Sequence, residues 1–317
     1  MTFNIALFGF GTVGFSIYEI LERELGNSIH ANLGVIVVRN KQKYIQNMIE
    51  DSVPDDTVKF FETIIQDDFD AVLQAISSFD VIIEVMGGIE HAWDVVRKSL
   101  SEDKIVITAN KALLSTYMTE LDHLNKNCNG KLYYEASVAG GIPVIKSLFR
   151  DIQWTTAEAF SVSNVSGILN GTCNYILTEM EKRKITYDEA LVEAKDKGYA
   201  EADSSADVLG LDTKAKIHIL QRITYGAQVY ANDIVCEGIT KIEPIDFVYA
   251  SQMHRKIKLI GSTFSNASGV RAWVMPSVVS LKNPIANTDN VKNIVSINHE
   301  TMGSIAFSGN GAGGETT

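Results

Sequence analysis

Residues 198–216 place four carboxylates and two lysines within nineteen positions. These charges are carried by Glu201, Asp203, Asp207, Asp212, Lys214 and Lys216. Carboxylates can bind a cationic group of a substrate, and a lysine that is screened from water can give or relay a proton. A solvated surface loop that runs into a helix has the same density of charge, so the composition of this segment alone leaves both interpretations open.

Asp212 and Lys216 have the most specific spacing in the segment. In a helix, a separation of four residues puts both side chains on one face, where the carboxylate can orient the ammonium group or hold a water molecule. An ordinary exposed ion pair has the same spacing and contributes only about 0.3–0.5 kcal/mol. The spacing is therefore compatible both with a catalytic pair and with an ordinary exposed ion pair.

A glycine-rich turn follows a predicted strand at the start of the chain. The turn matches GxGxxG through Gly9, Phe10, Gly11, Thr12, Val13 and Gly14. In this pattern the first glycine permits a tight turn, the second lets the backbone approach a pyrophosphate, and the third lets the helix pack on the strand. Since a helical pattern begins directly after the turn, its N-terminus would face the anion. We predict a dinucleotide site, with a purely structural glycine turn as the alternative.

A basic cluster ends the second predicted strand, and it consists of Arg39, Lys41 and Lys43. An acidic residue at this place would bind the ribose 2′-hydroxyl of NAD, whereas basic residues suit the 2′-phosphate of NADP. NADP is therefore favoured over NAD. A solvated basic turn, or the use of both cofactors, remains the alternative.

Lys111 lies just past the predicted strand over residues 104–110, beside Thr108 and Asn110. Ligands bind at this edge of a parallel sheet, outside the carboxyl ends of the strands. Position alone allows Lys111 to contact the nicotinamide ribose, the substrate or neither.

Strand-like apolar runs alternate with helical patterns in the first part of the chain. The runs are residues 3–8, 33–39, 79–88 and 104–110. Such alternation predicts the α/β class, with a Rossmann-type nucleotide-binding domain over residues 1–135. The family resemblance described below implies that the C-terminal segment, residues 306–317, returns to this domain.

The pattern changes after about residue 135, where strands with alternating and β-branched residues become more frequent. Two long helical runs, residues 172–183 and 205–229, lie among them. The pattern predicts an α+β domain with a mixed or antiparallel sheet over residues 136–305. Its sheet-forming character suggests a role in dimerisation as well as in substrate binding.

The composition excludes several classes of protein. A net charge of −11 disfavours nucleic acid and anionic membranes as main partners. The three cysteines are widely spaced and form no CxxC motif, which disfavours a disulfide scaffold or a zinc cluster and fits a reducing cytoplasm. The apolar run at the N-terminus is too short for a signal peptide or a membrane span.

Seven segments occur in the order found in homoserine dehydrogenases, and the sequence resembles that family over essentially its whole length. The segments are GFGTVG, DVIIEVMGG, TANKALL, YEASVAGGIPVI, SGILNGTCNYILTEM, GYAEADSSADVLGLDTKAKIHIL and GNGAGGETT. The resemblance implies reduction of L-aspartate 4-semialdehyde to L-homoserine with NADPH or NADH, in a homodimer. The alternatives are another NADP-dependent oxidoreductase of a small aldehyde or keto acid, and a non-catalytic NADP(H) sensor.

The resemblance also implies roles for individual residues near the reacting carbon. Lys216 is expected to donate the proton, with Asp212 orienting it and Lys111 acting beside the nicotinamide. Glu201 is expected to bind the amino acid directly, together with Asp207. The substrate carboxylate needs donors, which the start of a helix at Asn170, Gly171 and Thr172 could supply through backbone N–H groups and the Thr172 hydroxyl. Cys173 is interpreted as a packing residue.

Further contacts are implied by the same resemblance. Cofactor contacts beyond the glycine turn and Arg39 are expected at Gly87, Thr108, Lys111, Gly309 and Gly311. A structural monovalent cation, Na⁺ or K⁺, is expected at Glu135, Val138, Gly140 and Ile142, because oxygen ligands suit a hard cation. The alternative is a bend that binds no ion.

Overall fold

The computed structural model describes residues 2–24, 30–148, 162–226 and 230–311. The chain divides between Tyr134 and Glu135 into two compact units, one residue before the predicted domain boundary. Within the described ranges, no helix combines the length and the apolar character that crossing a bilayer requires.

The first unit alternates strands and helices. Its elements are β1 (Phe3–Phe8), α1 (Thr12–Glu24), β2 (Ala31–Val37), α2 (Lys41–Glu50), α3 (Asp55–Ile64), β3 (Ile65–Gln66), α4 (Phe69–Gln74), β4 (Val81–Glu84), α5 (Glu90–Ser101), β5 (Ile105–Thr108), α6 (Lys111–Asn127) and β6 (Lys131–Tyr133). The strands form a parallel sheet in the order β3-β2-β1-β4-β5-β6. The predicted Rossmann-type fold is confirmed, and its carboxyl edge carries the glycine turn, Arg39 and Lys111.

An aromatic cluster holds the glycine turn against the helices of the first unit. Phe61 of α3 is 1% exposed, and its ring centroid lies 5.6 Å from that of Phe10 and 4.9 Å from that of Tyr18. The ring of Tyr44 on α2 lies 5.3 Å from Phe10. Burial of an aromatic ring contributes about 1.5–3 kcal/mol. Since Phe10 lies inside the turn, this packing fixes the backbone of the predicted dinucleotide site.

The second unit is of the α+β type, as predicted. Its elements are α7 (Val144–Ser147), β7 (Val162–Ile168), α8 (Gly171–Arg183), α9 (Tyr187–Asp196), α10 (Ser205–Val208), α11 (Leu211–Tyr225), β8 (Val235–Cys236), α12 (Pro244–Gln252), β9 (Arg255–Asn266), β10 (Gly269–Ser280), β11 (Lys292–His299) and β12 (Gly303–Asn310). Its sheet has the order β12-β11-β7-β9-β10-β8, and its pairs are antiparallel except for β8 with β10.

The C-terminal strand corrects one prediction. Residues 306–310 were expected to return to the nucleotide-binding domain, but they belong to β12 and pair with β11 of the second sheet. The alternation of small or polar with apolar residues in GSIAFSGN explains this, because it fits a strand with one face packed. Residues 312–317 lie outside the described residues.

The helix predicted over residues 205–229 is wrong as a single element. Gly210 adopts a left-handed backbone with φ of 81° and separates α10 from α11. A Cβ atom at this position would lie 3.1 Å from Cys236 Sγ and 3.2 Å from Val274 Cγ1. Glycine is favoured there by both the backbone and the space, and the break divides the acidic segment between two helices. Residues 227–229 lie outside the described residues.

A buried lysine anchors α8 to the sheet. Lys258 on β9 is 1% exposed, and its Nζ donates to Asn174 Oδ1 at 3.0 Å, the Thr288 carbonyl at 2.8 Å and Asp289 Oδ1 at 2.9 Å. Burial lowers the pKa of Lys258, and the adjacent Asp289 opposes that effect. All three N–H groups of the ammonium are used, so this lysine holds the framework of the second unit.

Candidate functional site

The pair formed by Asp212 and Lys216 is buried in the second unit. Lys216 Nζ donates to Asp212 Oδ2 at 2.8 Å and to the carbonyl of Leu169 at 2.6 Å. Asp212 is 8% exposed and Lys216 is 9% exposed. An ordinary solvated ion pair is therefore excluded, and the predicted four-residue spacing on one helix face is observed in α11.

Asn170 joins this pair to Asp207. Its Nδ2 donates to Asp207 Oδ1 at 2.7 Å and to Asp212 Oδ2 at 2.9 Å, while its Oδ1 accepts from the backbone N–H of Cys173 at 2.8 Å. The last contact caps α8 at its N-terminus. Asn170, Asp207, Asp212 and Lys216 therefore form one hydrogen-bonded group, which we call the acid–lysine cluster.

The sequence predicted three members of the acid–lysine cluster but missed the role of its centre. Asn170 was interpreted only as part of a helix start that could offer donors to a carboxylate. Its position before a helical run predicts a cap, but no local signal predicts that its amide nitrogen contacts two carboxylates from other elements.

The residues predicted to bind the substrate differ in their exposure and in their hydrogen bonds. Glu201 is exposed and forms no hydrogen bond or ion pair with any described residue, so its carboxylate is available to a ligand. Gly171 and Thr172 are the first two residues of α8, where backbone N–H groups have no intrahelical acceptor. The Thr172 hydroxyl donates to the carbonyl of Tyr199 at 2.6 Å. Its expected donation to a substrate carboxylate stays a prediction, and the backbone N–H groups are the donors without an intrahelical acceptor.

Two side chains near the cluster are structural. Cys173 is buried, and its Sγ lies 3.1 Å from the carbonyl of Asp207. Burial, together with Asp207 and Asp212, raises the pKa of the Cys173 thiol well above its usual range. A thiolate nucleophile is thus disfavoured, in agreement with packing. Asp203 accepts from the backbone N–H of Ser205 at 3.0 Å at the start of α10.

The glycine turn of the first unit has the geometry of an anion cradle. A Cβ atom at Gly9 would lie 2.7 Å from the backbone of Val85, and one at Gly14 would lie 2.2 Å from the Gly9 carbonyl oxygen. Nothing lies within 4 Å of the corresponding position at Gly11. The turn is therefore closely packed on the protein side and open beside the N-terminus of α1, where Thr12 and Val13 begin the helix. The residues fit a pyrophosphate.

The basic cluster lines an open cleft of about 1240 Å³. Arg39 and Lys43 are exposed, whereas Lys41 is held by its Nζ donating to the Glu62 carbonyl at 2.6 Å and its backbone N–H donating to Asp67 Oδ2 at 3.0 Å. Arg39 and Lys43 are thus the cations in this cleft that are open to a ligand phosphate. A phosphate site at this cluster stays a prediction.

A buried carboxylate, which the sequence analysis missed, joins the ends of β4 and β5. Glu84 is 0% exposed and accepts from the Thr108 hydroxyl at 2.6 Å and from the Met86 backbone N–H at 2.8 Å. Asn110 caps α6, and its Nδ2 donates to the Gly88 carbonyl at 2.8 Å. These contacts fix the loop that carries Gly87 and the helix that starts at Lys111. The only available signal was a charged residue inside an apolar run.

The Thr108 hydroxyl has its partners inside the protein. Thr108 is 1% exposed, and its hydroxyl donates to Glu84 at 2.6 Å and accepts from the Asn110 backbone N–H at 3.0 Å. The cofactor contact expected at Thr108 stays a prediction.

Substitution of Glu84 by Gln should change how stability depends on pH. Burial raises the pKa of Glu84 above its ordinary value of 4.5, against the effect of the hydrogen bonds from Thr108, Met86 and Asn110. A carboxyl group with a raised folded-state pKa stabilises the fold below the unfolded value, and this contribution is lost as pH rises through the folded value. We expect the stability of the natural protein, relative to Glu84→Gln, to fall from about pH 4.5 toward neutral pH.

Urea unfolding of both proteins across this range measures the difference. Glu120→Gln, which changes an exposed residue of α6, is the control and should give a flat difference. A flat difference for Glu84→Gln as well would contradict the expectation.

Two family models match most of the chain. A model described as "Homoserine dehydrogenase, NAD binding domain" matches residues 9–135, and one described as "Homoserine dehydrogenase" matches residues 143–317. The homoserine dehydrogenase of Corynebacterium glutamicum is 36% identical, over 99% of this chain and 69% of that relative. The chain belongs to the homoserine dehydrogenase family.

Other members of the homoserine dehydrogenase family agree with this. The enzyme of Helicobacter pylori is 33% identical over 99% of this chain and 70% of its own length. The crystal structure of a homoserine dehydrogenase from Thiobacillus denitrificans matches with a TM-score of 0.87 at 29% identity, covering 100% of this chain and 70% of that one. The chain is accordingly an oxidoreductase with a nicotinamide-nucleotide-binding domain.

The bend that the homoserine dehydrogenase resemblance assigns to a cation lies in the second unit. Ala139 and Gly140 both have left-handed backbones, with φ of 60° and 57°. Among the described residues, no backbone N–H donates to the carbonyl of Val138 or Gly140. Glu135 accepts from the backbone N–H groups of residues 145 and 146 at 2.9 and 2.8 Å, and burial raises its pKa. The carboxylate caps α7, and the cation at this bend stays a prediction.

Gly309, which was expected at the cofactor, lies in β12 of the second sheet, and Gly311 comes directly after that strand. Gly309 of β12 pairs with Asn293 of β11, and a Cβ atom at Gly309 would lie 3.2 Å from Ile142 Cγ1. The carbonyl of Ile142, which was expected to bind the cation, accepts a hydrogen bond from the backbone N–H of Val144 at 2.8 Å. The cofactor contacts of both glycines stay predictions.

Proposed function

We propose that this chain catalyses the reversible reduction of L-aspartate 4-semialdehyde to L-homoserine with NADPH or NADH. The observation that carries the proposal is the buried acid–lysine cluster of the second unit, in a member of the homoserine dehydrogenase family. Neither alternative function is favoured, because a sensor has no need of a buried lysine with a directed N–H, and the family match covers both units.

Lys216 is the proposed proton donor. An ammonium group has three N–H donors, and two of them are used by Asp212 and Leu169. The third is left for the carbonyl oxygen of the aldehyde, which needs a proton as its carbon accepts a hydride. Asp212 keeps Nζ in place and compensates its charge in the low-dielectric surroundings.

The amino-acid end of the substrate carries an ammonium group and a carboxylate, so it requires both negatively charged partners and hydrogen-bond donors. Glu201 and Asp207 are the proposed partners of its α-ammonium group, since carboxylates bind cations. Backbone N–H groups of Gly171 and Thr172 at the start of α8 are the proposed donors to its carboxylate, where the helix dipole favours negative charge. This arrangement selects an amino-acid aldehyde over a simple aldehyde.

The nicotinamide nucleotide supplies the hydride when it is bound. The residues proposed to hold its pyrophosphate are Gly9, Gly11 and Gly14 with the start of α1, since these form the open cradle. Arg39 is proposed for the 2′-phosphate of NADP. Lys111, at the first turn of α6, is proposed to act beside the nicotinamide.

Further proposals concern assembly and surroundings. A homodimer formed through the second unit, a structural Na⁺ or K⁺ ion at the bend of residues 135–142, and a cytoplasmic location follow from the family resemblance. The free thiols of Cys128, Cys173 and Cys236 support a reducing compartment.

A substrate panel tests the proposed reaction. Loss of absorbance at the nicotinamide band should be fastest with L-aspartate 4-semialdehyde and NADPH, and homoserine with NADP⁺ should drive the reverse reaction. Equal or faster reduction of simple aldehydes or keto acids would favour the other oxidoreductase, and NADPH binding without turnover of any of them would favour the sensor.

Replacing Arg39 by Ala should lower the preference for NADPH. The loss of one charge-assisted contact to the 2′-phosphate costs about 1.5–3 kcal/mol, or roughly ten- to 150-fold in affinity. We expect KM for NADPH to rise by this order, with KM for NADH nearly unchanged. Lys41→Ala is the control, because the ammonium of Lys41 is already bound to Glu62. Equal changes for NADPH and NADH would oppose the assignment.

A further inference from the structure

We propose that Asn170 is the positioning residue of the acid–lysine cluster, an inference that rests on the proposed function of that cluster. Its amide holds Asp207 and Asp212 together, and through Asp212 it holds Lys216. The three side chains come from α10 and α11, whereas Asn170 precedes α8. It is the residue at which these elements meet.

The orientation of the amide is fixed by its partners. Both carboxylates can only accept hydrogen bonds when ionised, so the NH₂ group must face them. The opposite side, Oδ1, faces the Cys173 N–H at 2.8 Å. Asn170 is 6% exposed, and each of its polar hydrogens has one acceptor within 2.9 Å. A buried amide with all of these contacts made has a single favourable rotamer.

The amide also opposes the repulsion between the two acids. Asp207 and Asp212 both accept from the same nitrogen, and Asp212 also accepts from Lys216. Without the two N–H donors, we expect the two carboxylates to move apart. Asp212 would then no longer hold the Lys216 ammonium in its present orientation.

The competing explanation is that Asn170 is only a helix cap. Serine and aspartate are also good caps, since each offers an oxygen to the backbone N–H of Cys173. Neither Asn170→Ser nor Asn170→Asp retains the NH₂ group. The two variants therefore keep the cap and remove the proposed function, and Asn170→Asp does so with almost no change in size.

Steady-state kinetics of both variants test the proposal. A displacement of about 1 Å at a reacting group can reduce turnover about a hundredfold. We expect kcat to fall about a hundredfold for Asn170→Asp and at least about tenfold for Asn170→Ser, with KM for NADPH unchanged. Thr186→Ala, which removes the capping box of α9, should lower the melting temperature and leave kcat unchanged. Natural kcat in both Asn170 variants would overturn the inference.

Crystal structures of the same variants separate this inference from the proposed reaction. We expect the Asp207 and Asp212 carboxylates to lie farther apart in Asn170→Ser than in the natural protein. If they stay in place, the inference is wrong whatever the activity. If the natural protein does not reduce aspartate semialdehyde, the proposed reaction is wrong, and the carboxylate positions still decide the role of Asn170.

Discussion

Lys216→Ala should reduce turnover of aspartate semialdehyde by about 10²–10⁴-fold, the usual contribution of a positioned general acid. The third N–H of Lys216 is the donor that is lost, because the other two are used by Leu169 and Asp212. The affinity for NADPH should stay close to that of the natural protein, since the proposed phosphate contacts lie at the glycine turn and not at Lys216. Single-turnover kinetics with saturating NADPH, together with direct NADPH titration, measure the two quantities separately.

Two further variants make the result specific. Lys216→Ala leaves Asp212 buried without its cation, and such a loss costs about 3–5 kcal/mol of stability. Lys216→Arg keeps a cation for Asp212 but does not release a proton at accessible pH, so it should be folded and slow. Lys214→Ala, two residues away, removes a lysine that forms no hydrogen bond or ion pair with any described residue and should be fully active. Turnover in Lys216→Arg close to that of the natural protein would exclude proton donation by Lys216.

Gly14→Ala should weaken NADPH binding by roughly ten- to a hundredfold and also lower the melting temperature. Its Cβ atom would lie 2.2 Å from the carbonyl oxygen of Gly9, so backbone of the turn or of α1 must move. Overpacking of this kind costs about 1–3 kcal/mol, and the same movement would displace the N–H groups that are proposed to bind the pyrophosphate.

Gly11→Ala is the matched comparison. Nothing lies within 4 Å of its Cβ position in the ligand-free turn, so its melting temperature should stay natural. The added methyl group would occupy the open side of the turn, where the pyrophosphate is proposed to bind, so the affinity for NADPH should still fall. Isothermal titration and thermal unfolding of both proteins supply the measurements. Natural NADPH affinity in Gly11→Ala would argue against a pyrophosphate at this turn.

The elements that periodicity predicts were largely correct, because their signals are local. The strand over residues 3–8, the glycine turn and the helix of residues 172–183 each depend on neighbours a few positions away. The same holds for Asp212 and Lys216, whose contact follows from four-residue spacing. The break at Gly210 was missed because a glycine in a helical pattern is compatible with either a weakened helix or an end.

The contacts that complete the site could not be predicted from one sequence. Asn170 meets Asp207 and Asp212 across 37 and 42 residues, and Glu84 meets Thr108 across 24. Such pairs depend on how sheets and helices pack, which residue types and spacing do not specify. The family resemblance pointed to the acids and the lysine, but the residue that joins them became visible only in the fold.

The sequence position of Asn170 has a consequence for chemical ageing. It is followed by Gly171, and asparagine before glycine readily loses ammonia in an unfolded chain, since asparagine is thermolabile and glycine lets the next backbone nitrogen reach the side-chain carbonyl. In the fold, the contact with Cys173 and the helical backbone of α8 keep these groups apart. Each period of unfolding therefore exposes the residue to conversion into aspartate. We expect the protein to lose activity faster under conditions in which it unfolds more often, because the conversion of Asn170 is not reversed by refolding.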